Sequence, residues 1–277
     1  MFPWVYEFHW SVFHVTFLVI FFTVFATVIL TVIKALRRSS SDFATSAFEK
    51  ILWHSEFEDL SPASKVCRHE ITGDFKHRIC DNELDCRTCP VHAKIVELQQ
   101  GRPKSSILEF ESLGFVMPPY RQYHRGHTWV QEENDGTFKV GLDDFGERLV
   151  GNPDYIDLPP IGSTVRVNGT GWNVKKGNAK LRILSPLDGT VIEHGDREKG
   201  WMLKVKASDS KNPTGHLLHG SEIRPWLTRE MERLQMSFAT SGIGVTLADG
   251  GELEPDFHRY YPNADWDGIL GQMFLEA

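Results

Sequence analysis

Cys67, Cys80, Cys86 and Cys89 follow the spacing C-x12-C-x5-C-x2-C and are the only cysteines of the 277-residue chain. Four sulfurs gathered in one short segment, with a C-x-x-C knuckle, have the donor type and number of a tetrahedral thiolate site. Arg68, Lys76, Arg78 and Arg87 lie among them and favour the thiolate form. Zinc is the first expectation, because a structural site can fold a segment this poor in apolar residues. An iron–sulfur cluster, which also takes four cysteines at irregular spacing, is the second. Free or redox-active thiols are the third. His69, His77 and His92 are spare ligands, and Pro90 after the last cysteine fits a cluster site or a plain turn equally well.

These residues must be held by what surrounds them. On the N-terminal side, Trp10 to Ile33 runs 24 residues without Asp, Glu, Lys or Arg. At about 1.5 Å per residue it crosses a hydrocarbon core of roughly 30 Å, and in lipid it must be a helix. A cleaved signal peptide would carry positive charge before a shorter apolar run; here Glu7 precedes, and Lys34, Arg37 and Arg38 follow. The expectation is an uncleaved anchor with Met1 outside and the bulk of the chain cytoplasmic, in an inner membrane where disulfides do not persist. Trp4, Tyr6 and Trp10 would form the outer aromatic belt. His14, inside the span, is read as an interfacial or helix-packing residue, with contact to a pigment, haem or partner helix as the sharper alternative. Ser39 to Asp42 reads as a polar linker, and Phe43 to Leu60 as an amphipathic juxtamembrane helix.

The net charge of −7 argues against a general nucleic-acid binder. From Tyr123 to Ser208 short runs of alternating apolar and β-branched residues are punctuated by Asp135-Gly136, Pro159-Pro160, Gly169 and Asp188-Gly189, an all-β pattern with short hairpins. Within it stand HTWVQEENDGTFKVGLDDFGERLVG, IDLPPIGSTV, SPLDGTVIEHG and GWMLKVKAS. The order of His127, Trp129, Gly141, Asp157, Leu158, Pro159, Gly162, Pro186, Gly189, Gly200 and Trp201 resembles the H protein of the glycine cleavage system, a family of the lipoyl/biotinyl carrier fold. The resemblance spans about 85 residues and implies a mainly β fold, a lipoyl-domain-like flattened β-barrel with flanking helices. It also implies a carrier lysine on an exposed hairpin tip, eight residues before the proline of Ser185-Pro186-Leu187-Asp188-Gly189. That position is Asn178, whose amide cannot form the link to lipoate that an amine forms. Lys176 and Lys180 are weak substitutes, since a two-residue shift moves an amine by about 6 to 7 Å along a strand. Lipoate is therefore not expected.

Towards the C-terminus, Ile223, Trp226, Leu227, Met231 and Leu234 share one helical face between Glu222 and Met236. Trp266, Ile269, Leu270, Phe274 and Leu275 predict a short apolar helix that covers the core or meets a partner. Asp249-Gly250-Gly251 is a turn with no phosphate-loop lysine behind it. His124, His127, Asp143 and Asp144 cluster in sequence; the family pattern accounts for His127, and the others read as surface loop residues. The expected organisation is an anchor over 1–38, linker, juxtamembrane helix and cysteine segment over 39–120, the H-like domain over 121–238 and an extension over 239–277. The function expected is a non-catalytic single-span subunit that binds no small-molecule substrate. It would dock within a multi-subunit photosynthetic or respiratory membrane complex. A membrane-tethered iron–sulfur redox protein and a lipoyl carrier modified at an unusual lysine are the alternatives.

Overall fold

The computed structural model describes residues 11–49, 57–99, 111–176, 179–208, 211–240, 261 and 264–276. Helix α1 (Val12–Glu49) contains a 20-residue stretch, Val12–Thr31, long and apolar enough to cross a membrane, with none of it buried in the protein. The helix runs straight through Ser39–Asp42, where a linker was expected. No proline or glycine lies between Pro3 and Pro62, so nothing in the chain forces the helix to stop there. The proposed belt of Trp4, Tyr6 and Trp10 lies outside the described residues, as do residues 50–56 of the juxtamembrane segment. His14 accepts or donates a hydrogen bond with Ser11 Oγ at 2.6 Å.

The chain divides into two compact units, Met1–Ala47 and Phe48–Ala277. In the second unit the cysteine segment, the β-domain and the C-terminal extension pack together. Its short helices α2 (Arg68–Ile71) and α3 (Pro90–Gln99) come first, then a small hairpin of β1 (Glu111–Ser112) and β2 (Phe115–Val116). The main antiparallel sheet is ordered β3 (Gln122–Tyr123), β4 (Thr128–Glu132), β5 (Phe138–Leu142), β11 (Trp201–Ala207), β10 (Gly189–Asp196), β7 (Thr164–Val165). A second, three-stranded sheet is ordered β6 (Tyr155–Asp157), β8 (Thr170–Lys176), β9 (Ala179–Leu184). Helix α4 (Asp144–Val150) follows β5. The period of two is visible in the core: Phe138, Val140 and Leu142, Leu181 and Ile183, Leu203 and Val205 all face inward. The β4–β5 turn places Gly136 at φ +74°, with Thr137 N–H donating to Asp135 Oδ1.

Two helices close the barrel. Helix α5 (Ile223–Thr240) buries Ile223, Trp226, Leu227 and Leu234, the face expected from their spacing. Helix α6 (Trp266–Met273), capped by Asp265, buries Trp266, Ile269, Leu270 and Met273, followed by buried Phe274 and Leu275. The extension therefore covers this chain's own core.

His124, His127 and Asp143 are not surface residues; each is buried. Asp143 caps α4 by accepting from Gly146 N–H at 2.7 Å and holds His127 Nδ1 at 3.1 Å. The His127 ring lies between Phe145 and Trp226, with centroids 4.6 and 5.2 Å away. Its Nε2 stands 3.7 Å from Glu230, which Arg233 holds at 2.5 Å. Burial works against a charged imidazole, but the carboxylates of Asp143 and Glu230 outweigh it and raise the His127 pKa to about 9. A raised folded-state value means stability that is complete below the ordinary value of 6.5 and is lost as pH climbs through about 9. Denaturant midpoints measured from pH 6 to 10 should fall across that window, and His127→Gln should flatten the fall while lowering stability at pH 6.

Candidate functional site

The carrier hairpin is built by β8 and β9. Their register pairs Lys175 with Lys180 and Lys176 with Ala179, so residues 177 and 178 are the connection. Gly177 and Asn178 themselves lie outside the described residues. Cross-strand partners share a face, which puts Lys180 and Lys176 on opposite faces of the hairpin. Lys176 is half-buried, and its Nζ donates to the Val150 carbonyl at 2.8 Å. Lys180 is exposed at the rim of a groove of about 460 Å³ that also takes in Asp59, Asp267 and Leu270. The two lysines are thus not equivalent stand-ins for one another.

The four cysteines come together. A bridge between Val66 and Ile79 aligns the two halves of the segment, with Cys67 N–H donating to Arg78 O at 2.8 Å and Cys80 N–H to Lys65 O at 2.6 Å. Cys86 and Cys89 form the knuckle, with Cys89 N–H on Cys86 O, and α3 starts directly after it. All four side chains line one closed chamber whose free space is about 10 Å³. A space of that order holds roughly one water-sized sphere. Among the described residues no three His, Cys, Asp or Glu side chains are closed to metal-ligating geometry; the sulfurs share the chamber without converging on a point. Burial pushes the Cys86 thiol up to about 11 against the pull of the Arg68 guanidinium, and burial raises Cys80 as well. Thiols held this way stay neutral at pH 7 until a cation displaces their protons.

The spare histidines behave differently from one another. His69 bonds Asp74 through Nδ1 at 2.9 Å and His92 through Nε2 at 3.0 Å, so both its ring nitrogens are used. His77 is exposed, at φ +55°. Sequence reasoning missed two residues of the β-domain that line the chamber, Arg125 and His216. They follow the cysteines by dozens of positions, and no local pattern connects them.

The cysteine segment is clamped to the β-domain by paired charges. Arg68 meets both Glu222 oxygens, at 2.7 and 2.6 Å. Arg87 reaches Asp188 at 2.5 Å while holding Asp85. Asn168 donates to the Glu83 carbonyl at 2.7 Å, and His124 Nε2 contacts Asn168 Oδ1 at 2.9 Å. His124 is thereby part of the clamp; burial first, then neighbouring His216, lower its pKa to about 3.

Two antiparallel sheets, a two-residue hairpin in the smaller one and a closing helix define a carrier-type β-domain. The family described as Glycine cleavage H-protein matches residues 121–230, so this part of the chain is an H-protein-like domain. The glycine cleavage system H protein of Escherichia coli O7:K1 is 29% identical over 106 residues, 34% of this chain and 82% of that protein. The Cronobacter sakazakii H protein is 28% identical over the same shares. A crystal structure of an H protein from Mycobacterium marinum aligns at 22% identity with a TM-score of 0.34, covering 38% of this chain and 94% of that one.

Truncating one partner of the best-buried clamp leaves a guanidinium with 6% of its side chain exposed and no carboxylate opposite. Glu222→Ala should cost about 3 kcal/mol by denaturant titration. Hydrogen exchange should speed up first around residues 65–90.

Proposed function

We propose that this chain is a membrane-anchored, non-catalytic docking subunit whose H-protein-like domain serves as a scaffold. The observation that carries this reading is Asn178 at the place of the carrier lysine, between the paired residues Lys176 and Ala179. An amide there accepts no lipoyl group, and without an arm the domain has no group to pass between active sites. The residues of the domain best suited to acid–base work support the reading too. His127 and Asp143 are buried and bound to one another, so no substrate reaches them.

Val12–Thr31 supplies the membrane attachment. By the positive residues Lys34, Arg37 and Arg38, Met1 lies outside and the H-like domain in the cytoplasm. Phe13, Phe17, Phe21 and Phe25 stack at successive turns, 6.5, 6.3 and 6.1 Å apart, an aromatic ridge suited to packing on other membrane helices. The partner is an integral membrane assembly of the bioenergetic kind, respiratory or photosynthetic. The cysteine chamber holds one structural ion, zinc by preference, and its free volume of about 10 Å³ favours a single ion over a cluster of several iron atoms.

Solubilisation of native membranes in mild detergent should recover the chain with partner subunits, and a partner-free monomer would sink the docking role. Intact mass should equal that of the unmodified chain. A covalently held dithiolane on Lys176 or Lys180 would make the protein a carrier instead.

A further inference from the structure

Arg125 is the least ordinary charge in the molecule. Its side chain comes from the turn between β3 and β4 and is 6% exposed. Both terminal nitrogens are spent on backbone carbonyls of the cysteine segment, Nη1 on Val66 O and Nη2 on Ser64 O, the latter at 3.1 Å. Carbonyls orient a guanidinium but carry no charge to cancel it. Among the described residues no carboxylate forms an ion pair with it, since Glu230 is taken by Arg233 and His127. Its Nε–H has no acceptor. Buried charges in folded proteins are paired or set beside a metal centre, because an uncompensated one is costly. The missing counter-charge must lie where the side chain points, and Arg125 lines the four-cysteine chamber.

Arg78 repeats the pattern from the other side. It lines the same chamber, its Nε–H is buried without an acceptor, and its only ion pair is a long one, 3.5 Å to exposed Asp81. Arg68, the third arginine of the lining, is already neutralised by Glu222. Two cations with unused donors therefore face a chamber of four thiols. A divalent ion bound by four thiolates carries a net charge of −2, and its sulfurs are strong N–H acceptors where thiols are weak ones.

We propose that Arg125 and Arg78 are the built-in counter-charges and N–H donors of a dianionic metal–tetrathiolate unit in this chamber. Binding the ion displaces four thiol protons to solvent, and the two guanidinium charges balance what remains. The H-protein-like domain thus contributes to the site through Arg125 although it supplies none of the cysteines. Residue 125 is a positioning residue, acting on the ion through the sulfurs. The proposal rests on the metal reading given above.

The test uses the full-length chain in detergent, reduced, titrated with zinc or cobalt against a chromogenic chelator. Wild type should take up one ion per chain, and cobalt should give strong thiolate-to-metal absorption. Arg125→Gln should weaken binding about tenfold or more while leaving the absorption of four coordinated thiolates in place, and Arg125→Lys should recover part of the loss. A folded Arg125→Gln protein that binds as tightly as wild type overturns the counter-charge role and leaves the metal reading standing. Wild type with four reduced cysteines that takes up neither zinc nor cobalt overturns both. Should Arg125→Gln fail to fold, Arg78→Gln, on a side chain 28% exposed, decides: weakened binding supports the proposal and unchanged binding refutes it.

Discussion

The fold turns on a buried chain of charges that no single segment could hold. Glu230 on α5 meets His127 from the β3–β4 turn and Arg233 one helical turn away. Arg233 continues to Ser64 Oγ, ahead of the cysteines, and to the Gln272 carbonyl on α6. Asp143 ties the other side of His127 to the start of α4. Five stretches of chain, far apart in sequence, thus share one network in a core otherwise made of tryptophan, phenylalanine and aliphatic side chains. Such a network is favourable only when complete, since any missing member leaves a bare charge in a low-dielectric interior. It therefore selects one arrangement of helices on the barrel, and the cysteine segment and C-terminal extension are parts of that arrangement.

Around this node the carrier architecture is kept while its chemistry is not. The β8–β9 hairpin retains its register to the last pair before the tip, and Trp172 and Val174 anchor it in the core. What differs is local: an amide for an amine at 178, and lysines at 175, 176 and 180 where Lys175 and Lys180 stand directly opposite one another. Opposed like charges weaken a strand pair. The hairpin tolerates them because its stability comes from the buried residues below, not from its tip.

Much of this was legible in the sequence, and the limits have physical causes. The membrane-length helix, the β-strands and the amphipathic faces of α5 and α6 are written in local periodicity, which needs no partner to be read. The cysteine spacing likewise announced a shared chamber. Burial of polar residues was not legible. His124 and Asp143 look like loop residues because their partners, Asn168 and the α4 N-terminus among them, are supplied by the fold. The ties Arg68–Glu222 and Arg87–Asp188 span 154 and 101 positions and leave no periodic trace. The linker expected at Ser39–Asp42 failed for the opposite reason: polarity was read as a break, when only proline or glycine would have made one.

Each side chain that might do chemistry in this molecule already has a structural task. His127 and Asp143 satisfy one another, His69 is engaged at both nitrogens, Lys176 caps the Val150 carbonyl, and the thiols are desolvated and neutral. Catalytic groups are exposed to substrate and left with an unused valence; these are enclosed and spent. The unused donors that remain, Arg78 and Arg125 Nε–H, face inward to the sulfurs rather than outward to a cleft. A protein whose polar groups are committed to joining a cysteine segment to a β-domain is organised to hold a shape. In a chain that also carries a membrane-length helix, that shape is suited to presenting a rigid surface to another macromolecule.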